Sequence, residues 1–444
     1  MDQEFMMRTL SNGLRVLLIP MKDVGVTYME LAVRCGFLSE GPDTFEYAHF
    51  LEHMQAQYTS SKNRSSSAIN DSIEAAGAVS NASTWYDETR YYITSKKEDS
   101  LRFLDLMLTS FVDYKMDEET LEAEREAIVT ELMKRSGNDP WHRLKEALNE
   151  YAYGKKRVAT MEERIDSTKE ATIEGLFAFR DRYYVPENML LTVSGEIDNA
   201  AVMSLVEKTV ATLRPSLPAM KPSSYFVPPK NLGPVCFFVE NDSVASSFLS
   251  ISWSLEPRPY DLGEINTGKA ISWILTSGMR SRLMHRLRTE LKAVYGISAS
   301  MDVVNFGQST FSIETEVDAK HIPLILKEVL KEVLRLKEEL IEHEEFDRVK
   351  NKIIMANRLT PLSIEPTRYA SQYSDYVLWD QEVVTFRDKL ASFETVTPSD
   401  VQKFVENNLV RSDNLIIAYS GSQDRGNKIK KLIPGVRIVS IKKT

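Results

Sequence analysis

Two histidines and a glutamate fall within five residues in the segment Tyr47-Ala48-His49-Phe50-Leu51-Glu52-His53-Met54. The segment lacks Gly and Pro, and its apolar residues recur at helical spacing, which predicts a helix. Positions three and four apart share a helix face. His49, Glu52 and His53 therefore point one way, leaving Phe50, Leu51 and Met54 to face a core. Two imidazoles one turn apart can grip a single zinc ion, with the carboxylate beside it. The chain holds only six histidines, so chance pairing of two around a glutamate is the weaker explanation.

A catalytic zinc needs a third protein ligand and an open position for water. His142, His285, His321 and His343 show no paired spacing that offers one. In the charged stretch from Leu121 to Leu132, Glu124 and Glu131 lie two helical turns apart and share a face. Leu121, Ile128 and Leu132 make the adjoining apolar stripe, which puts a carboxylate at the border of buried and exposed surface. The only two cysteines, Cys35 and Cys236, sit in or beside apolar strand-like runs and read as small buried side chains. Two cysteines cannot build a thiolate zinc site, so a metal here must use His and carboxylate ligands.

The elements that must position these residues are written twice. Leu14 to Val33 is a strand pair with a polar turn, and a matching arrangement begins at Val235, with Val24 and Val244 in equivalent places 220 residues apart. The run Asn188 to Gly195 finds its echo in Asn414 to Gly421, at a separation of 226. Glu124-Arg125 and Asp347-Arg348 make a third pair inside long helical patterns, such as Asp117 to Arg135 and Ile322 to Leu340. The order of strands and grouped helices predicts an α+β fold of two duplicated domains of about 220 residues. The expected boundaries are 1–214 and 235–444, joined by a stiff Pro-rich connector over 215–234.

With 43 % hydrophobic and 27 % charged residues, the composition is that of an ordinary globular protein. A net charge of −9 gives no basic footprint for nucleic acid. The locally basic C-terminal stretch has no interleaved aromatics to stack bases. No apolar run approaches the roughly 20 residues needed to cross a bilayer. The first nine residues carry Asp2 and Glu4 with no apolar core, so neither signal nor transit peptide is evident and a cytoplasmic location is expected.

His49-Phe50-Leu51-Glu52-His53-Met54 resembles the inverted zinc motif, HxxEH, of the inverzincins, the relatives of pitrilysin, insulin-degrading enzyme and mitochondrial processing peptidase. The resemblance implies a third ligand, a glutamate, about 75 to 80 residues further on. Glu131, 78 residues past His53, fits that slot, and Glu124 fits the family's supporting acidic residue. Gly77 to Thr84 and Glu88 to Tyr92 are similar to the family's edge-strand segment, where backbone near Asn81-Ala82 takes substrate as an added strand. Ser277 to Leu283, followed by Arg288 and Tyr295, is similar to the glycine-rich loop and the Arg/Tyr pair that grips the scissile carbonyl. On spacing alone, Arg288 reads as a surface residue and Tyr295 as a core residue. The family usually has glycine shortly before the first motif histidine, where this chain has Glu46. It tends to have Phe and Gly-Thr after the motif, where Ala56 and Tyr58-Thr59 stand.

The resemblance implies a zinc metalloendopeptidase that hydrolyses unstructured peptides or precursor segments by zinc-activated water, with Glu52 as general base. It implies one zinc per chain, because Ala270, Trp273 and Ile274 of the second copy offer no ligands. Chains of this length are half of a clamshell in the family. Carrying both the zinc motif and the Arg/Tyr pair makes a homodimer the simplest assembly; the alternatives are a catalytic subunit active only in a heterodimer with a metal-free related chain, and, in another class, a non-catalytic scaffold paralogue that kept the fold.

Overall fold

The computed structural model describes residues 3–63, 65–136, 140–153, 159–213, 233–240, 247–255, 261–303, 309–359 and 365–441. The expected connector at 215–234 lies outside these apart from Gly233 and Pro234, and Val244 lies outside them too. In the first half the strands are β1 (Met6–Thr9), β2 (Arg15–Pro20), β3 (Val26–Val33), β4 (Val79–Thr84), β5 (Thr89–Lys96) and β6 (Met189–Gly195). In the second half they are β7 (Val235–Val239), β8 (Ser247–Ser254), β9 (Ser298–Asp302), β10 (Thr310–Val317), β11 (Leu415–Ser420) and β12 (Arg437–Ile441).

These strands form two six-stranded sheets, in the orders β1-β2-β6-β3-β5-β4 and β12-β7-β11-β8-β10-β9. Five positions correspond one to one, so the repeat read along the chain is a repeat of topology. Its clearest signal, the echoed runs ending in Gly195 and Gly421, is the pair of central strands β6 and β11. The sixth strand differs. β1 joins its sheet antiparallel to β2 and comes from the N-terminal side, whereas β12 joins parallel to β7 from the C-terminal side. Gly195 ends β6 and Gly421 directly follows β11, both at positive φ, and at Gly195 a Cβ would meet the Val26 carbonyl oxygen at 2.3 Å.

Helices α1 (Tyr47–Gln55), α2 (Ser66–Ala75), α3 (Ser100–Val112), α4 (Glu118–Ser136), α5 (Pro140–Tyr153), α6 (Met161–Glu170), α7 (Ile173–Tyr183) and α8 (Asn199–Val210) follow in the first half. The second half carries α9 (Leu262–Thr276), α10 (Ile322–Glu338), α11 (His343–Leu359) and α12 (Pro366–Leu378) among others. One face of the first sheet, through Leu31, Leu191 and Tyr91, packs on α1, α3, α4 and α8 in a continuous apolar core. The second sheet does the same with α9 and α10 through Leu249, Ile251 and Phe311.

The opposite faces are covered by exchange. The compact unit built on the first sheet takes in residues 361–387, and the unit built on the second takes in residues 135–155. Helix α12 thus packs on β2, β3 and β6. Arg15 donates to the carbonyls of Val377 and Leu378 at 2.5 and 3.2 Å, and Arg90 donates to Ser374 and Asp375, each at 2.8 Å. In return α5 lays Leu144, Ala147 and Leu148 on Val235, Phe237 and Ile416 of the second sheet. Both cysteines are buried and free, as their apolar surroundings predict.

Candidate metal centre

Helix α1 is fixed from beneath. Phe50 and Leu51 are fully buried and Met54 nearly so, each contributing roughly 1.5–3 kcal/mol of apolar burial. Its first amides are satisfied from six residues upstream, where the Glu40 carboxylate accepts from Glu46 N and Ala48 N, both at 2.9 Å. Such groups are the unpaired donors of a helix start, and a carboxylate there also suits the positive end of the helix dipole. Glu46 enters the helix at φ 71°, a left-handed conformation costing a residue with a Cβ about 1–2 kcal/mol.

The wall facing α1 is α4, held by Leu121, Ile128 and Leu132, none more than 1 % exposed. Arg125 locks this helix in place. Its guanidinium donates to the carbonyls of Thr168, Lys169 and Ala171 at 2.5, 2.8 and 2.8 Å, at the C-terminal end of α6. The same group lies 5.8 Å from the Phe50 ring centroid. The apolar stripe therefore delivers Glu124 and Glu131 to one place, as their two-turn spacing predicts.

At that place His49 Nε2 lies 3.9 Å from Glu131 Oε1, and His53 Nε2 lies 3.7 Å from Glu131 Oε2. Suitable donor atoms of the three residues all lie within 4.8 Å of one another, and among the described residues they are the one such group of His, Cys, Asp or Glu. The imidazoles meet edge to face with centroids 4.7 Å apart. Each ring has its other nitrogen engaged by a carboxylate. His49 Nδ1 lies 2.7 Å from Glu46 Oε1, and His53 Nδ1 lies 2.9 Å from Glu124 Oε2. Gln57 in turn donates to Glu124 Oε1 at 2.7 Å, and Arg164 to Glu46 Oε2 at 2.7 Å. With both Nδ1 atoms engaged, both Nε2 atoms converge with a carboxylate. Two imidazole nitrogens and one carboxylate form a three-ligand catalytic zinc set, and the residues present fit that ion.

The charges agree with the geometry. Burial alone would raise the Glu46 carboxyl, but the His49 contact and the Arg164 guanidinium outweigh it and hold the group below its ordinary value. Burial and the neighbouring Glu46 push Glu40 upward. For His53, burial opposes the charged form, yet the bond to Glu124 and the charges of Glu124, Glu52 and Glu131 raise it above the ordinary imidazole value.

Of the other residues singled out in the sequence, Glu52 is half-buried on α1, one residue before His53. Asn81 and Ala82 lie on β4, which closes one edge of the first sheet, and Ala82 N donates to Asn81 Oδ1 at 2.9 Å. Arg288 and Tyr295 belong to the second unit and meet there, the guanidinium 4.7 Å from the ring centroid. Tyr295 is 86 % exposed. The spacing-only reading of it as a core residue is overturned, because the turn through Lys292, at φ 51°, carries it off the core. Arg288 itself sits on a π-helical turn, Met284–Glu290. In α9, Ala270 and Ile274 are core residues. Sequence reasoning marked Glu46 only as a departure and missed Gln57 and Arg164, whose roles arise from contacts 67 and 118 residues distant.

Two family models match, the one described as Insulinase (Peptidase family M16) over residues 15–162 and the one described as Peptidase M16 inactive domain over residues 170–353. The first spans α1 and α4, and the second spans α9. An "uncharacterized zinc protease" of Rickettsia felis is 25 % identical over 80 % of this chain and 83 % of its own length. The crystal structure of a protease from Helicobacter pylori superposes with a TM-score of 0.81 at 21 % identity, covering 95 % of this chain and 100 % of that one. The periplasmic protease PqqL from Escherichia coli gives 0.78 at 18 % identity, covering 96 % of this chain but 49 % of that longer one. Two family models that match successive parts of the chain, over a topology repeated in both halves, make this chain a two-domain member of peptidase family M16.

Proposed function

We propose that the chain is a zinc-dependent endopeptidase of unstructured peptides, with His49, His53 and Glu131 as metal ligands, Glu124 supporting His53, and Glu52 as general base. The observation that carries this reading is the convergence of His49, His53 and Glu131 within 4.8 Å, with both Nδ1 atoms already engaged by carboxylates. A bound zinc ion supplies Lewis acidity, polarising the peptide carbonyl and lowering the pKa of water to about 7. Glu52, on the same face of α1 as both histidines, takes the proton of the attacking water and passes it to the leaving amine. The peptide lies along β4 as an added strand, exchanging the Ala82 N–H bond to Asn81 for one to its own backbone.

Arg288 and Tyr295 take the role of the pair that grips the scissile carbonyl, its growing negative charge being met by a guanidinium and a phenol. In this reading a second copy of the chain closes the reaction chamber, and each copy lends its Arg288 and Tyr295 to the other's metal centre. The match to about half of a longer solved chain supports the pairing of two such lengths. No helix of the described residues is long and apolar enough to cross a membrane.

The test is cleavage of a mixed pool of unstructured peptides, read by mass spectrometry, for wild type and Glu52→Gln. The variant should keep its zinc and lose about 10²–10⁴-fold in rate. Equal rates would remove Glu52 from the mechanism. Silence from a zinc-loaded wild type would refute a general peptidase complete in one kind of chain, and would point to a missing partner chain or a narrowly defined substrate.

A further inference from the structure

Glu46 is an expensive residue for its position. Its φ of 71° is one that glycine adopts freely, and its carboxylate is wholly buried beside a second buried carboxylate, Glu40. Both of its oxygens are committed, one 2.7 Å from His49 Nδ1 and the other receiving Arg164 Nη1 at 2.7 Å. The Arg164 guanidinium rests 4.7 Å from the Phe37 ring centroid, and that ring lies edge-on to His49. The His49 imidazole is thus boxed on one side by an aromatic ring and aimed by one carboxylate, which an arginine from α6 holds in turn.

We propose that Glu46 is the positioning residue of His49, fixing its Nδ1–H tautomer so that Nε2 alone faces the shared donor site. Resting on the metal-centre reading above, this makes the centre a pair of matched relays. Arg164–Glu46–His49 stands on one side and Gln57–Glu124–His53 on the other, and each imidazole is oriented before any ion arrives. Both neutral tautomers leave one nitrogen able to accept a metal, and only the hydrogen bond at the other nitrogen decides which. A side chain here that merely filled space would have no need of a charge.

Two measurements test this on Glu46→Gly and Glu46→Gln. The first is the imidazole ¹⁵N spectrum of the metal-free protein at pH 8, which reads the tautomer of His49 with no ion present. Wild type should show the Nδ1–H form, and Glu46→Gly should shift towards the Nε2–H form favoured by a free imidazole. The second is zinc affinity by chelator competition, expected to weaken about 10–100-fold in Glu46→Gly, the usual cost of losing an outer-shell partner. Glu46→Gln retains an acceptor and should fall between the two. If Glu46→Gly fails to fold, the spectrum and affinity of Glu46→Gln decide the matter. An unchanged His49 tautomer, or a zinc affinity within twofold of wild type, overturns the proposal and leaves the metal centre standing. A wild type that binds no zinc, with the His49 tautomer still changing between it and Glu46→Gly, would instead refute the metal-centre reading and keep the orienting role.

Discussion

Asp87, at the tip of the hairpin joining β4 to β5, couples the proposed substrate edge to pH. Its Oδ2 is buried without a hydrogen-bond partner. Burial first, and the adjacent Glu88 second, push the carboxyl up from 3.8 to about 7. The tip is also where the two amides of Phe37 and Leu38 donate to the carbonyls of Trp85 and Tyr86, at 3.0 and 2.7 Å. Gly36 comes so close that a Cβ there would meet the Trp85 oxygen at 2.2 Å. Because the folded-state pKa exceeds the unfolded one, this group's contribution to stability is fully present below pH 3.8 and is lost as pH rises through 7. At about 1.4 kcal/mol per pH unit, the gap caps the effect near 4 kcal/mol. Movement of the hairpin tip towards water reduces it to about 2 kcal/mol, since opening the tip is cheaper than holding a dry charge. Asp87→Asn keeps the shape and removes the titration. Urea unfolding and amide exchange of the hairpin, measured at pH 4 and pH 8, should show wild type losing about 1.5 kcal/mol that the variant keeps. Parallel pH profiles for the two proteins would refute the assignment.

Two further outcomes follow from the same contacts. Arg90 joins Glu30, Glu88 and Asp375 at 3.0, 2.7 and 2.8 Å beneath the exchanged helix α12, so Arg90→Met strands the buried Glu30. That should cost about 3–5 kcal/mol in denaturant unfolding, and Glu30→Gln in the same protein should recover part of it. Zinc held at 1,000 times its Kd should stabilise the first unit by about 4 kcal/mol, which for about 200 residues raises Tm by roughly 8–16 °C. His53→Ala should abolish that difference between zinc-loaded and chelated samples, and a persisting shift would place the ion elsewhere.

How much of this was legible in advance tracks the distance over which each contact acts. The proposed ligands were legible in part: helical periodicity aligns His49 with His53, and an apolar stripe puts Glu124 and Glu131 on one face, while the choice of Glu131 between them came from the resemblance to the inverzincins and not from spacing. The duplicated topology was legible because strands carry their pattern in a few residues, as the echoed runs ending in Gly195 and Gly421 do. The exchange of α5 and α12 was not. An amphipathic stripe says that a helix is covered, never by which of two similar sheets, and the choice here is made by Arg15 and Arg90 reaching across more than 280 residues of chain. The relay behind His49 was hidden for a related reason. A glutamate just ahead of the motif reads as a blemish until the fold brings Arg164 to its second oxygen, and only then does a strained, buried carboxylate read as a partner of His49.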